Sequence, residues 1–405
     1  MPQRALPALL PLGSTLMAAL LIGGCSAAPN DIRESATPQP SVQSSTSASA
    51  QPLSSPPIDE SPAEALVPQE LSLMVTGDVL LHPQLLGEAK QAAGAKSGNG
   101  EDFDFSPLLA GLAPFVQDAD VALCNLETPI GAPPYSRYPR FTVPDQILSD
   151  LEAIGYDGCT TATNHTVDSG TAGVERTLDA LEANGLFATG SYRSEKESGK
   201  PSILDVDGVK LGVVTSTYSL NGLPEEADWQ VDTGVDAQQL IARGKATRKA
   251  GADIVVAAVH DGAEYTSEPT VSQRRLGRAL AESGVFDFIY MHHTHSVLPI
   301  EKHDGTWIVY GLGNSVAKHA TPTILNREGI SVKATFTEDE PGEWDVSDLR
   351  WVPHQLSTSP VAWCQVFDAD GCVPDADAKA SLKRSKATVN AYGAFEDGLH
   401  EWALD

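Results

Sequence analysis

The chain has 405 residues, 41% of them hydrophobic, and 54 acidic against 27 basic side chains give a formal net charge of −27. That length holds one large domain or two smaller ones. The charge argues against a nucleic-acid binder, because phosphate backbones need a basic face. It also opposes any polyanionic substrate unless a metal or a local basic patch offsets the field.

The first 25 residues, MPQRALPALLPLGSTLMAALLIGGC, read as an export signal. Arg4 lies in a short n-region, a Leu/Ala-rich stretch follows, and small residues precede Cys25. LIGGC resembles a bacterial lipobox. On that reading Cys25 becomes the lipid-bearing N-terminus, anchored at the outer face of the bacterial cytoplasmic membrane. An ordinary signal peptide with a chance cysteine is the alternative. Pro7, Pro11 and Gly13 break the run, so it is not read as a transmembrane helix, and no later segment is apolar enough to span a membrane. Residues 26–69 are rich in Ser, Pro, Ala, Thr and Gln, the composition of a flexible tether that cannot bury a core. Residues 70–360 read as one domain and 361–405 as a less regular C-terminal extension. Export implies an oxidising compartment. Cys364 and Cys372 close a short loop and are expected to pair. Cys124 and Cys159, near the ends of two predicted core strands, are either reduced core residues or a second bridge.

From residue 71 the pattern is strand, loop, helix, repeated. LSLMVTGDVL is an apolar run ending in Gly77-Asp78. PLLAGLAPFVQDA has helical spacing, and DVALCNLETPI is a second strand ending in polar residues. PDQILSDLEAIG is a helix, with Pro144 and Asp145 near its start and Gly155 past its end. YDGCTTATNHTVDSG is a strand entering a polar loop, and GTAGVERTLDALEANG a helix. LFATGS is a short strand. SILDVDGVKLGVVTST is a strand pair turning at Asp207-Gly208. Two helix-strand pairs follow: AQQLIARGKATRKAG with ADIVVAAVHDG, and TVSQRRLGRALAESG with VFDFIYMHHTH. PIEKHDGTWIVYGLGN, GISVKATFT and WDVSDLRWVPHQL supply later strands. Strands alternating with helices give an α/β class, and the hairpins make its sheet mixed.

In open α/β sheets, ligands bind outside the carboxyl ends of the strands. Here those ends carry Asp78; Asn125 and Glu127; Asn164 and His165; His260 and Asp261; His292, His293 and His295; and Asn314. A lone Asp after a strand is usually a cap or turn residue. Six strand ends bearing imidazole, carboxamide or carboxylate point instead to one shared site. Such donors suit Mn, Zn or Fe, as one or two divalent ions. Side-chain alternation along an extended strand would aim His293 and His295 one way and His292 the other, into the core or behind the ligands.

TGDVLL, NLETPI, TNHTVDSG, VHDGAEY, MHHTHSVLPIE and YGLGNS together resemble the CapA (PgsA-type) capsule-synthesis proteins, over roughly residues 70–320. STYSLNGLP, with Tyr218, Asn221 and Gly222, adds to the resemblance. It implies a calcineurin-like metallophosphoesterase fold, a four-layer αββα sandwich with mixed sheets. It also implies a role in making, exporting or attaching a poly-γ-glutamate capsule. Carried over residue by residue, it implies Asp78, Glu127, Asn164, His260, His293 and His295 as metal ligands. His165 becomes the proton donor or charge stabiliser, paired with Asp168. Asn125, Glu264, His292 and Asn314 stand behind the ligands. The expected partners are an anionic γ-glutamyl polymer or a phosphorylated envelope substrate, with membrane synthetase subunits. A phosphoesterase acting on another envelope substrate and a non-catalytic scaffold are the alternatives. Arg137, Arg140, Arg274, Arg275 and Lys318 are candidates for a locally basic cleft. The chain departs from the pattern at Leu80, where the superfamily has His, and at Glu127, where it has Asp. Thr163, Asp261, Met291, Thr294 and Ser315 differ from the capsule family's usual residues.

Overall fold

The computed structural model describes residues 69–97, 102–368 and 370–404. The expected leader, Cys25 and nearly all of the expected tether lie outside the described residues. The first strands are β1 (Glu70–Val79), β2 (Val121–Leu126), β3 (Gly158–Thr160), β4 (Phe187–Thr189), β5 (Ile203–Val206), β6 (Val209–Thr217) and β7 (Ile254–His260). They are followed by β8 (Phe288–His292), β9 (Ile300–His303), β10 (Thr306–Val309), β11 (Asn314–Val316), β12 (Glu328–Glu340), β13 (Glu343–Leu356), β14 (Trp363–Gln365) and β15 (Leu399–Glu401).

One sheet runs β14-β13-β12-β1-β2-β3-β4, with β11 beside β1 and β15 beside β13; the other runs β5-β6-β7-β8-β10-β9. Both are mixed. β1 to β4 are parallel, as are β6, β7, β8 and β10, whereas β12 lies antiparallel to β1 and β9 to β10. Period-two alternation decides what each face meets. Leu73, Val75 and Leu123 of the first sheet share a buried cluster with Val213, Val256, Phe288 and Tyr290 of the second, so the sheets stack face to face. The alternate residues Met74, Ala122 and Cys124 pack outward against Leu85, Ile147, Leu151 and Leu181, from three helices. Val255, Ala257, Ile289 and Met291 do the same against Leu240, Leu276 and Leu280. This is the αββα sandwich. Covering both faces explains why the central strands read as near-continuous apolar runs.

Three segments differ from the sequence reading. PLLAGLAPFVQDA forms two single-turn helices, Ser106–Leu109 and Ala113–Val116, because Pro114 has no N–H to continue the ladder. The helix Pro83–Ser97 went unread, since Gly87, Gly94 and its alanines blur the apolar period. So did Asp375–Val389, whose buried positions are Ala378, Ser381, Ser385 and Val389. The terminal segment also joins the sandwich. β14 and β15 both pair with β13, and buried Trp402 packs on Phe115 and donates from Nε1 to Asp118 at 2.8 Å. Cys364 is bonded to Cys372, and Cys124 to Cys159, a directly opposed pair on β2 and β3. No helix among the described residues is long and apolar enough to cross a membrane.

Candidate metal centre

The carboxyl ends of β1, β2, β3, β7 and β8 deliver the polar residues to one crevice. β1 reaches it through a close approach. A Cβ on Gly77 would stand 2.3 Å from the Gly313 carbonyl oxygen, and Asp78 N–H donates to that oxygen at 2.9 Å. This places Asp78 opposite Asn314 of β11 on one side and Asn125 of β2 on the other. Asn125 donates from Nδ2 to Asp78 Oδ1 at 2.8 Å and accepts from Thr160 Oγ1 at 2.9 Å.

Glu127 and His260 are fully buried and face each other, Oε1 to Nε2, at 3.7 Å. His260 Nε2 lies 2.9 Å from Asn164 Oδ1. His295 sits between the two carboxylates, with Nδ1 3.1 Å from Asp78 Oδ2 and Nε2 3.7 Å from Glu127 Oε1. Its Nδ1 also meets Asn314 Oδ1 at 2.9 Å. Glu127, His293 and His295 each offer a donor atom, all within 4.8 Å of one another. Donors bound to one ion at about 2.1 Å stand about 3 Å apart or a little more. Both Glu127 oxygens and His293 Nδ1 are buried without a hydrogen-bond partner. Burying lone pairs and leaving them unused is costly. A cation at their focus would satisfy them, and the donor set fits a divalent transition metal.

The electrostatics agree. Burial raises the Glu127 carboxyl well above its usual range, and Asp78 adds to this although His295 opposes it. Burial also acts to raise Asp78, but His292 and His295 outweigh it and hold Asp78 well below the ordinary value. Burial and His295 push His293 down to about 3, and burial and His293 depress His260, so both imidazoles are neutral and able to ligate. His295 goes the other way. Burial lowers it, yet Glu127 and Asp78 carry it to about 9. Glu127 and His295 thus both favour holding a proton beside Asp78, where a metal ion would supply the positive charge.

His165 and Asp168 lie on the loop after β3. His165 Nδ1 meets Asp168 Oδ2 at 2.7 Å, and the same oxygen accepts Phe141 N–H at 2.7 Å. Threonines hold this loop. Thr166 Oγ1 donates to the Thr161 carbonyl at 2.6 Å, and Thr163 Oγ1 to the Glu127 carbonyl at 3.2 Å.

The histidine run departs from the sequence reading. β8 ends at His292, and His293 and His295 take positive φ, +86° and +50°. They converge through a tight left-handed turn, not through strand alternation. Of the two places expected for His292, the structure has it behind the candidate ligands, with Nδ1 3.1 Å from Asp78 Oδ1. Glu264 sits exposed at the rim, sensed by Glu127 and His295 through charge rather than contact. Tyr218 closes over His293 with ring centres 4.5 Å apart, and Asn221 accepts from Asn164 Nδ2 at 3.4 Å. The sequence reading missed His82, His319 and Tyr265. The His319 ring is 4.6 Å from both His295 and His82, and Tyr265 Oη is 3.2 Å from His319 Nδ1. Their signal was proximity to strand ends: His82 follows Asp78 by four residues, and His319 follows Asn314 by five.

Two mixed sheets stacked between helices, with a His/carboxylate cluster at their shared carboxyl edge, define a metallophosphoesterase-type fold. Within that class, the pattern of the family described as "Bacterial capsule synthesis protein PGA_cap" matches residues 72–319, and the chain belongs to that family. It is 29% identical over 213 residues to the PGA biosynthesis protein CapA of Bacillus subtilis, covering 52% of this chain and 54% of that one. It is 22% identical over 258 residues to the capsule biosynthesis protein CapA of Bacillus anthracis, covering 61% and 60%. The chain thus spans little more than half the length of these curated relatives. Among solved structures, the calcineurin-like phosphoesterase YfkN from Bacillus subtilis aligns with TM-score 0.44 and 15% identity, over 79% of this chain and 97% of that one.

Proposed function

We propose that this chain is an exported lipoprotein that acts on a γ-glutamyl capsule polymer through a divalent-metal centre. The observation that carries the reading is the set of buried, unpartnered donor atoms on Glu127 and His293, beside Asp78 and His295 at the carboxyl edge of both sheets. Membership of the capsule-synthesis family supports the substrate. Cys25 would hold the protein at the outer membrane face, and the residues after it would tether the domain within reach of membrane synthetase subunits.

Asp78, Glu127, Asn164, His260, His293 and His295 would hold Mn, Zn or Fe, as one or two ions. Such an ion would activate a bound water and polarise the attacked group. Asp168 fixes His165, whose Nδ1 proton points into the carboxylate and leaves Nε2 free to exchange a proton with the reacting group. Asn125 holds Asp78 in place, and Asn314 does the same for His295. The His165–Asp168 pair also favours a second reading, hydrolysis of a phosphorylated envelope substrate at the same centre.

The test is the amount of γ-glutamyl polymer at the surface of cells expressing the wild-type chain or His293→Ala/His295→Ala. A large fall in the variant is expected. Equal polymer in both strains refutes the capsule reading, and phosphoester turnover by the wild type alone would then favour the second.

A further inference from the structure

We propose that a cavity on the flank of the helix Val271–Ala281 is a second binding site, for the carboxylates of a flexible anionic polymer. The choice of polymer rests on the reading above; the site itself does not involve the metal ligands.

The cavity has a volume of about 500 Å³ and is lined by Val271, Arg274, Arg275, Arg278, Glu282 and Tyr392, among others. In a chain with 27 basic residues against 54 acidic ones, three arginines on one cavity wall are a local reversal of the overall field. Helical spacing creates it. Positions 274 and 278 are four apart, and 275 and 278 three apart, so all three fall on adjoining faces of the helix.

The acidic groups around the cavity are already engaged. Buried Glu301 accepts from Arg278, from Arg274 Nη2 at 3.4 Å and from Tyr310 Oη at 2.8 Å. Glu282 meets His303 Nε2 at 2.8 Å, and Glu268 accepts from Tyr392 Oη at 3.2 Å. The arginines are not used up. Arg274 Nε is buried with no partner, while its guanidinium lies 4.0 Å over the Tyr392 ring, which holds the fork in place. Arg275 is exposed and makes no ion pair among the described residues. Glu301 shows the arrangement at work, one carboxylate gripped by two guanidinium forks from the inner side. Exposed Arg275 offers the same chemistry to a carboxylate arriving from outside. Exposed Val271 and half-buried Tyr392 give the methylenes of a γ-linked backbone an apolar surface.

The site is coupled to the metal centre by position. Gln273, on the same helix, donates from Nε2 to the carbonyls of Asp261 and Tyr310 at 3.1 and 2.8 Å. Asp261 follows the ligand His260 directly. Gln273 thus ties the helix that carries the arginines to the loop that leaves the candidate metal centre. A basic site of this kind would offset the repulsion between a strongly acidic protein and an acidic polymer.

The test is calorimetric titration of the full-length chain with a γ-linked glutamate oligomer, at low and high salt. Wild type is expected to bind, with affinity that falls as salt rises. Arg275→Glu, at an exposed position that leaves the Glu301 network intact, is expected to bind about tenfold more weakly while keeping its metal content. Arg275→Lys, with the charge but not the fork, is expected to fall between. Chelating the metal is expected to leave oligomer binding within about twofold. Equal binding by Arg275→Glu and wild type overturns the proposal, as does no binding by wild type. If chelation abolishes binding and Arg275→Glu does not, the polymer is held at the metal centre alone. That outcome overturns the second site and leaves the proposed function standing.

Discussion

Replacing both halves of the Cys124–Cys159 bridge with alanine probes stability and site geometry at once. The bridge spans 35 residues of sequence. Closing a loop of that size lowers the entropy of the unfolded chain by about 13 cal/mol/K, or about 4 kcal/mol at 25 °C. The eight-residue separation of Cys364 and Cys372 gives only about 2 to 3 kcal/mol by the same relation. The larger bridge also sits one residue before Asn125 and Thr160, whose side chains meet at 2.9 Å, and Asn125 in turn holds Asp78 at 2.8 Å. Freeing β2 from β3 should therefore loosen the orientation of Asp78 and weaken metal binding by about tenfold to a hundredfold. Urea unfolding followed by tryptophan fluorescence gives the first quantity, and metal titration the second. The Cys124→Ala/Cys159→Ala protein should lose about 4 kcal/mol, more than Cys364→Ala/Cys372→Ala. A loss below about 1 kcal/mol, or the reverse order of the two variants, would refute the loop-closure reasoning. Unchanged metal affinity would refute the link to the site.

Three further outcomes are expected. Gly77→Ala places a Cβ 2.3 Å from the Gly313 carbonyl, so it should cost about 3 kcal/mol in urea unfolding and reduce bound metal; a wild-type unfolding curve would contradict the close approach. Burial depresses His354 to about 4, against the smaller opposing effect of its bond to the Asn314 carbonyl. Because the folded value is below the unfolded one, this stability is complete above about pH 6.5 and is lost as pH falls through 4, by about 3 kcal/mol; His354→Gln should flatten that slope. For His295, at about 9, the folded value is raised, so in metal-free protein its contribution is complete below about pH 6.5 and is lost as pH rises through 9. Metal uptake must expel that proton. Affinity should therefore climb with pH up to about 9, and calorimetry in two buffers should register at least one proton released per site.

The fold was legible in the sequence where apolar runs ended abruptly in polar residues, as at Asp78, Asn125 and His260. A strand buried on both faces leaves no alternation to read, but its end is marked by the first residue that cannot be buried unpaired. The turn that joins His293 to His295 was not legible. Positive φ at two successive candidate-ligand positions, His293 and His295, neither of them glycine, is a local strain that tertiary contacts impose and spacing does not encode. The sequence reading therefore brought the two imidazoles together through the wrong geometry, while His292 lies behind the candidate ligands, against Asp78. His82, His319 and Tyr265 escaped because loops far apart in sequence bring them together. Thr161, Thr163 and Thr166 escaped because a threonine-rich loop looks generic until its hydroxyls are paired. The helix Pro83–Ser97 escaped because alanine and glycine carry little apolar contrast.

The most direct measurement of the central claim is elemental analysis of the purified full-length chain beside His293→Ala/His295→Ala, after incubation with Mn²⁺ or Zn²⁺ and desalting. The account predicts at least one equivalent of divalent metal retained by the wild type and little by the variant, with both proteins folded by circular dichroism. Absence of bound metal from the wild type, or equal metal in both proteins, would contradict it.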